Sequence, residues 1–163
     1  RCYRDDQGRP LRMLGVNLDI TERRSLEVEL EEHIQRLEAF VQDSPAATAM
    51  FDDQLRYLAA SRRWFTEHQL EPRSATGLAY HEVIADLPWE WVDSYRRGLA
   101  GETIIVDEIP WERANGQRLW MRFELRPWYQ VGGEIGGIIV HADNLTQKKT
   151  LEAQAYRREQ QLR

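Results

Sequence analysis

The chain has 163 residues, 42% of them hydrophobic and 30% charged, with a net charge of −5, a make-up that fits one globular domain with connecting segments and excludes a disordered or fibrous chain. No polybasic run is present, which speaks against nucleic acid as a partner, and the longest apolar run, residues 135–142, is far too short to cross a bilayer, so no direct membrane contact is expected. The single cysteine, Cys2, allows no internal disulfide and has no Cys/His cluster beside it, which points away from a zinc site and towards a reducing, cytoplasmic setting.

Gln7-Gly8 marks a turn ahead of a strand-like run over residues 11–20, whose apolar side is Leu11, Met13, Val16 and Leu18. Thr21 stands where an N-cap belongs, and a helix follows over residues 22–42. Its apolar residues Leu26, Leu30, Ile34, Leu37 and Val41 are spaced 4, 4, 3 and 4 apart. That is the narrow seam of a coiled coil, and it predicts a parallel dimer connector. The plainer alternative is a helix packing this stripe on its own domain. Ser44-Pro45 stops the helix. Two short strands, residues 47–52 and 56–60, then flank Asp53-Gln54. Pro72, Gly77 and Pro88 break the next stretch into short helical pieces. Residues 89–100 read as one longer helix ended by Gly101. Three strands close the domain: residues 103–113, residues 117–129 after the hairpin signal Asn115-Gly116, and residues 135–144 after Gly132-Gly133. The middle one alternates cleanly, with Leu119, Met121, Phe123 and Leu125 on one face and Arg118, Trp120, Arg122, Glu124 and Arg126 on the other. Thr146 is then read as the cap of a last helix with a thin stripe of Leu151, Ala155 and Leu162.

One stretch is written twice. A shift of 125 positions lays residues 1–26 on residues 126–151 without a gap, with Gly8 on Gly133, Thr21 on Thr146 and Leu26 on Leu151. Repeats at fixed spacing signal tandem modules. The expected organisation is therefore the closing strands of a preceding module (residues 1–20), a linker helix (21–43), one complete domain (44–146) and an output linker (147–163). Stripped of its own module, the first segment is expected to pair its edge with a neighbouring chain.

Catalytic signals are thin. Phosphate loops, nucleophile triads and metal-spaced clusters do not occur in the sequence. Asp52-Asp53 reads as a turn, and Asp107 and Glu108 should point to opposite faces of a regular strand. His81-Glu82 lacks the second histidine of a metalloprotease helix. The fragment reads as non-enzymatic.

Several segments, in order, resemble a PAS domain: residues 38–47 with their Ser-Pro stop, Leu58-Ala59-Ala60-Ser61-Arg62-Arg63-Trp64-Phe65, Tyr95-Arg96-Arg97-Gly98-Leu99-Ala100-Gly101-Glu102, Arg113-Ala114-Asn115-Gly116-Gln117-Arg118-Leu119-Trp120, and residues 132–138. Asp19-Ile20-Thr21-Glu22-Arg23-Arg24 is similar to the motif with which such domains pass to an output helix. The resemblance implies an α+β fold: a five-stranded antiparallel sheet in the order 2-1-5-4-3, short helices over one face, and linker helices before and after. It also implies a sensory and dimerisation module, here a homodimer, preceding a histidine kinase or cyclic-di-GMP domain in the same chain. At the second copy the motif reads Asp143-Asn144-Leu145-Thr146, so the family's aspartate charge is missing at Asn144, and Asp143 is placed to supply it from a shifted position.

The resemblance places a ligand, where one is bound, between helices and sheet. By alternation Met121, Phe123, Leu125, Ile138, Val140 and Ala142 face that space, and Trp64, Tyr80, Trp91 and Tyr95 close over it. The list is almost wholly apolar. Trp111, Met121 and Ala142 stand where flavin photosensors carry amides, which rejects that reading, because a flavin edge buried without partners is costly. An empty or small-ligand pocket is favoured, with redox-sensing FAD and haem as lesser alternatives. For haem, His81 and His68 are the ligand candidates, each outweighed by the plainer reading of a surface histidine. His141 falls on the outer face. Trp120 and Trp128, beside Arg122 and Arg126, form an aromatic stripe on that face and a candidate docking surface. The other reading of the whole chain is a constitutive spacer that binds nothing.

Overall fold

The computed structural model describes residues 2–13 and 18–162. The chain forms two compact units, residues 1–36 and 37–163. In the first, strand β1 (Cys2–Arg4) pairs antiparallel with β2 (Pro10–Met13), and helix α1 (Thr21–Gln42) begins and runs on into the second. The expected continuation of the strand through residues 14–17 lies outside the described residues, as do Val16 and the side chains of Leu11 and Met13, while Leu18 is exposed.

The second unit holds β3 (Thr48–Asp52), β4 (Tyr57–Ala60), α2 (Arg62–Glu67), α3 (Tyr80–Val83), α4 (Trp89–Leu99), β5 (Ile104–Glu112), β6 (Arg118–Tyr129), β7 (Ile135–Asn144) and α5 (Thr146–Gln161). The strands form one antiparallel sheet in the order β4-β3-β7-β6-β5, which is the expected 2-1-5-4-3. The period-2 pattern of β6 survives intact: Leu119, Met121, Phe123 and Leu125 are buried and the residues between them are not. The core lies on that face, where Trp64 of α2 and Trp91 and Tyr95 of α4 join Phe51, Tyr57 and Trp111.

Four hairpin loops use one device. In each, three residues are spanned by a closing pair of hydrogen bonds, and the third residue has positive φ: Gly8 (78°), Leu55 (59°), Gly116 (83°) and Gly133 (86°). Glycine takes this conformation without strain. Leu55 does not, but its side chain is 7% exposed and belongs to the core. Leu55→Gly should relieve about 1 kcal/mol of strain and forfeit about 2–3 kcal/mol of burial. A net loss of about 1–2 kcal/mol in a denaturant titration is expected, and a gain in stability would refute the account.

The written repeat is also a geometric one. Cys2↔Met13, Tyr3↔Arg12 and Arg4↔Pro10 pair as Pro127↔Ile138, Trp128↔Gly137 and Tyr129↔Ile135 do, with the irregularity at the same step. The loop bond from Asp5 N to Arg9 O (2.9 Å) matches that from Gln130 N to Glu134 O (2.8 Å). Arg24 N donates to Ile20 O at 2.9 Å and Lys149 N to Leu145 O at 3.0 Å. All these equivalents lie 125 residues apart.

The two threonines are not caps. Each is the first residue of its helix. The capping-type acceptor is the side chain two residues earlier: Asp19 Oδ1 accepts from Thr21 N, and Asn144 Oδ1 from Thr146 N, both at 3.0 Å. A side-chain oxygen that reaches its own backbone two residues on is the habit of Asx turns.

Candidate functional site

The joint between the sheet and α5 is built from both ends. The Thr146 hydroxyl accepts from Trp120 N at 2.9 Å, and Leu145 N donates to Trp120 O at 2.7 Å, so the start of α5 is stitched to β6. Asn144 uses its whole amide: Oδ1 receives Thr146 N, and Nδ2 donates to Glu67 O at 3.0 Å. Asn144 N donates to the Glu67 carboxylate, whose other oxygen takes Arg63 Nε at 2.7 Å. The last strand, the end of α2 and the first turn of α5 therefore meet at one amide. Asp143 is not part of it. It lies on the outer face, 3.5 Å from His141 Nε2 and 3.8 Å from Arg122 Nη1. The missing aspartate charge at Asn144 is met by an amide that supplies the same acceptor and adds a donor. Glu67 escaped the sequence reading, because it lies 77 residues from its partner and no local pattern marks it.

The residues predicted to line a pocket come together in the buried core. Trp64, Trp91, Tyr95, Trp111, Met121, Phe123, Leu125, Ile138, Val140 and Ala142 are all buried, and Tyr80 is half-buried. Ring centroids lie 5.1 Å apart for Trp91 and Phe123, 5.3 Å for Trp91 and Trp111, and 6.1 Å for Tyr80 and Tyr95. Phe51, absent from the predicted set, sits 4.4 Å from Tyr57 and 5.6 Å from Tyr95. The alternation Ala47, Ala49, Phe51 could have revealed it. Burial pushes the Tyr57 phenol up, although Trp64 Nε1 donates to its oxygen at 3.2 Å.

His68 is not a surface residue. It is fully buried just past α2, with Nδ1 2.6 Å from Trp64 O and its ring 4.3 Å from that of Trp64 and 5.7 Å from that of Trp111. Among the described residues Nε2 has no hydrogen-bond partner, and neither has Trp91 Nε1. Burial, aided by the charge of Arg113 and opposed by the bond to Trp64 O, lowers its pKa to about 4. The Trp64 indole lies tilted against it and the Trp111 indole meets it edge-on. His81 is exposed.

Arg113 braces this corner. It stacks 4.1 Å over Trp111, donates to His68 O at 2.6 Å and pairs with Asp86 at 2.8 Å. Trp111 turns its indole N–H away from the core, to Asp86 O at 2.9 Å. Burial alone would raise the Asp86 carboxyl, but Ala114 N–H and the guanidinium outweigh it and hold the pKa below the usual value.

On the outer face Trp120 and Trp128 are half-buried rather than an open stripe. Lys149 of α5 lies 4.3 Å over Trp120, and Trp128 Nε1 donates to Phe51 O at 2.8 Å. Asp107 and Glu108 do not point to opposite faces. An irregularity between Val106 and Ile109 lets both reach outer-face cations, Asp107 to Arg122 at 3.7 Å and Glu108 to Lys149 at 2.7 Å. On α1 no residue is buried: Leu26, Leu30, Ile34 and Leu37 are exposed and Val41 half-buried. Among the described residues no group of three or more His, Cys, Asp or Glu is placed to hold a metal ion, and no helix is long and apolar enough to cross a membrane.

A family model described as the PAS fold matches residues 41–150. The two-component sensor PprA of Pseudomonas aeruginosa is 29% identical over 139 residues, which make up 83% of this chain and 15% of PprA. Among solved structures, the PAS domain of Bordetella pertussis BvgS has a TM-score of 0.58 at 12% identity, covering 80% of this chain and 98% of that domain. Vibrio cholerae VqmA, solved with ligand and DNA, has a TM-score of 0.55 at 19% identity, covering 69% of this chain and 51% of VqmA. At these identities the likeness is one of fold.

Proposed function

Because the chain belongs to the PAS fold family, we propose that it is a sensory and dimerisation module of a longer cytoplasmic signalling protein. Its output passes through β7 and α5 to a further domain, such as a histidine kinase or a cyclic-di-GMP enzyme. The name of the relative PprA supports a two-component setting. Residues 1–20 are read as the closing strands of a preceding module and residues 21–43 as the linker between modules, a reading supported by the constant offset of 125. The module itself is read as non-catalytic and as a partner of neither nucleic acid nor membrane.

The observation that carries the proposal is the amide of Asn144, which holds β7, α2 and α5 together. A shift of packing beneath β7 changes the setting of α5 through this group, and coupling of that kind needs two states of similar energy. Asn144→Ala removes an acceptor and a donor that contribute about 1 kcal/mol each. Amide exchange in the first two turns of α5 is expected to rise about tenfold or more, with the sheet unaltered, and stimulus-dependent output of the full-length protein to be lost. Unchanged exchange together with a normal response would overturn this route.

The packed rings favour a second reading, a constitutive spacer that pairs subunits and binds nothing in its core. Native mass spectrometry separates the two: a co-purifying small molecule supports sensing, and the bare polypeptide mass supports the spacer.

A further inference from the structure

We propose that a cleft beside β4, the end strand of the sheet, receives Phe40 from a second copy of this chain. The proposal rests on the parallel pairing of α1 in the dimer described above.

The cleft has a volume of about 600 Å3. Leu58 of β4 and buried Phe65 of α2 line its apolar side, and Leu37, Glu38, Val41 and Gln42 of α1 form the facing wall. The seam Leu30, Ile34, Leu37, Val41 has spacings of 4, 3 and 4, so these residues occupy d, a, d and a of a heptad. The cleft wall on α1 is then d, e, a and b. It opens on the e side of the helix.

In a parallel pair the g residues of one helix face the e residues of the other, five positions further on. His33 at g meets Glu38 of the second copy at e, a complementary pair of imidazole and carboxylate. Phe40 is the next g residue, and its e counterpart is Pro45, beyond the end of α1 at Gln42. No helix is left there for Phe40 to pack on. The surface on that side is the cleft. Phe40 is 77% exposed, and Leu37 and Leu58 beside the cleft are exposed as well. Knob and hole lie within one short stretch of the same patch, as a two-fold interface requires of a self-complementary surface. Two such insertions per dimer would cover apolar area that a monomer rarely leaves open.

Sedimentation equilibrium on the whole chain gives the first test. Phe40→Ala should raise the dimer dissociation constant at least about tenfold while leaving the midpoint of thermal unfolding within about 1 °C at low concentration, because the side chain is exposed in the single chain. The second test puts p-benzoylphenylalanine in place of Phe40 and photolyses an equal mixture of unlabelled and nitrogen-15-labelled protein. Adducts between labelled and unlabelled chains that end in residues 58–65 support the insertion. A wild-type dimer that is weakened by Leu30→Ala and Ile34→Ala but indifferent to Phe40→Ala, or whose adducts fall elsewhere, overturns the insertion and leaves the pairing standing. A wild-type chain that stays monomeric at every concentration overturns both.

Discussion

Gly137→Ala should cost the domain about 3–5 kcal/mol of stability. Gly137 lies in β7 opposite Asp52 of β3 with φ at 156°. A Cβ there would sit 1.9 Å from Phe51 O, 2.8 Å from the Asp52 carbonyl carbon and 2.7 Å from Trp128 Nε1. Two of the three obstacles are backbone atoms of a paired strand and cannot swing aside. Relief requires β3 and β7 to part, which strains their ladder and breaks the bond from Trp128 Nε1 to Phe51 O. Overpacking of this sort costs about 1–3 kcal/mol, and the strained φ and lost hydrogen bond add about 1 kcal/mol each. A sum of about 3–5 kcal/mol is a large part of the 5–15 kcal/mol typical of a domain. Denaturant unfolding of Gly137→Ala beside Gly132→Ala provides the check. Gly132 has open space around it, so that variant should stay within about 0.5 kcal/mol of wild type. A loss below about 1 kcal/mol for Gly137→Ala would mean that the strands yield more easily than the geometry says.

The second large effect is expected on acidification. His68 is buried as the neutral imidazole, with its pKa lowered to about 4. In the unfolded chain it titrates near 6.5. Between those values the unfolded state binds a proton that the folded state refuses, so stability falls as the pH drops from about 6.5 to about 4 and levels off below. The gap is equivalent to about 3 kcal/mol. Carboxylates such as Asp86, whose folded pKa is also depressed, add a loss of the same sign at lower pH. The clean measurement is therefore a difference. His68→Gln keeps a donor for Trp64 O and removes the titration. From pH 7 to pH 4 the wild type should lose about 2–3 kcal/mol more than this variant, and parallel pH profiles would refute the assignment.

The sheet was legible wherever side chains obey a period. Residues 117–129 alternate because one face of β6 is buried along its length. The offset of 125 was visible because both copies use the same turn, strand and helix start. What escaped depends on distance or on a local exception. His68 follows a helix of only six residues, too short to show a face, so its burial under Trp64 and Trp111 left no trace in the spacing. Glu67 with Asn144 and Asp86 with Arg113 are pairs far apart in the chain, and either partner alone looks like an ordinary surface residue. A regular strand sends Asp107 and Glu108 to opposite faces, and the irregularity between Val106 and Ile109 breaks that regularity. The threonines fit the sequence pattern of helix starters, but the acceptors that start the helices stand two residues upstream, on Asp19 and Asn144.

The constant offset has a practical side. A cut before Thr21 and a cut before Thr146 fall at equivalent bonds, each preceded by the same hairpin and followed by the same helix start. On the tandem-module reading proposed above, a cassette taken between them would join, when duplicated, deleted or exchanged, at seams equivalent to ones the chain already contains. Lengthening or shortening a protein of this design then requires recombination alone, with no new junction to invent.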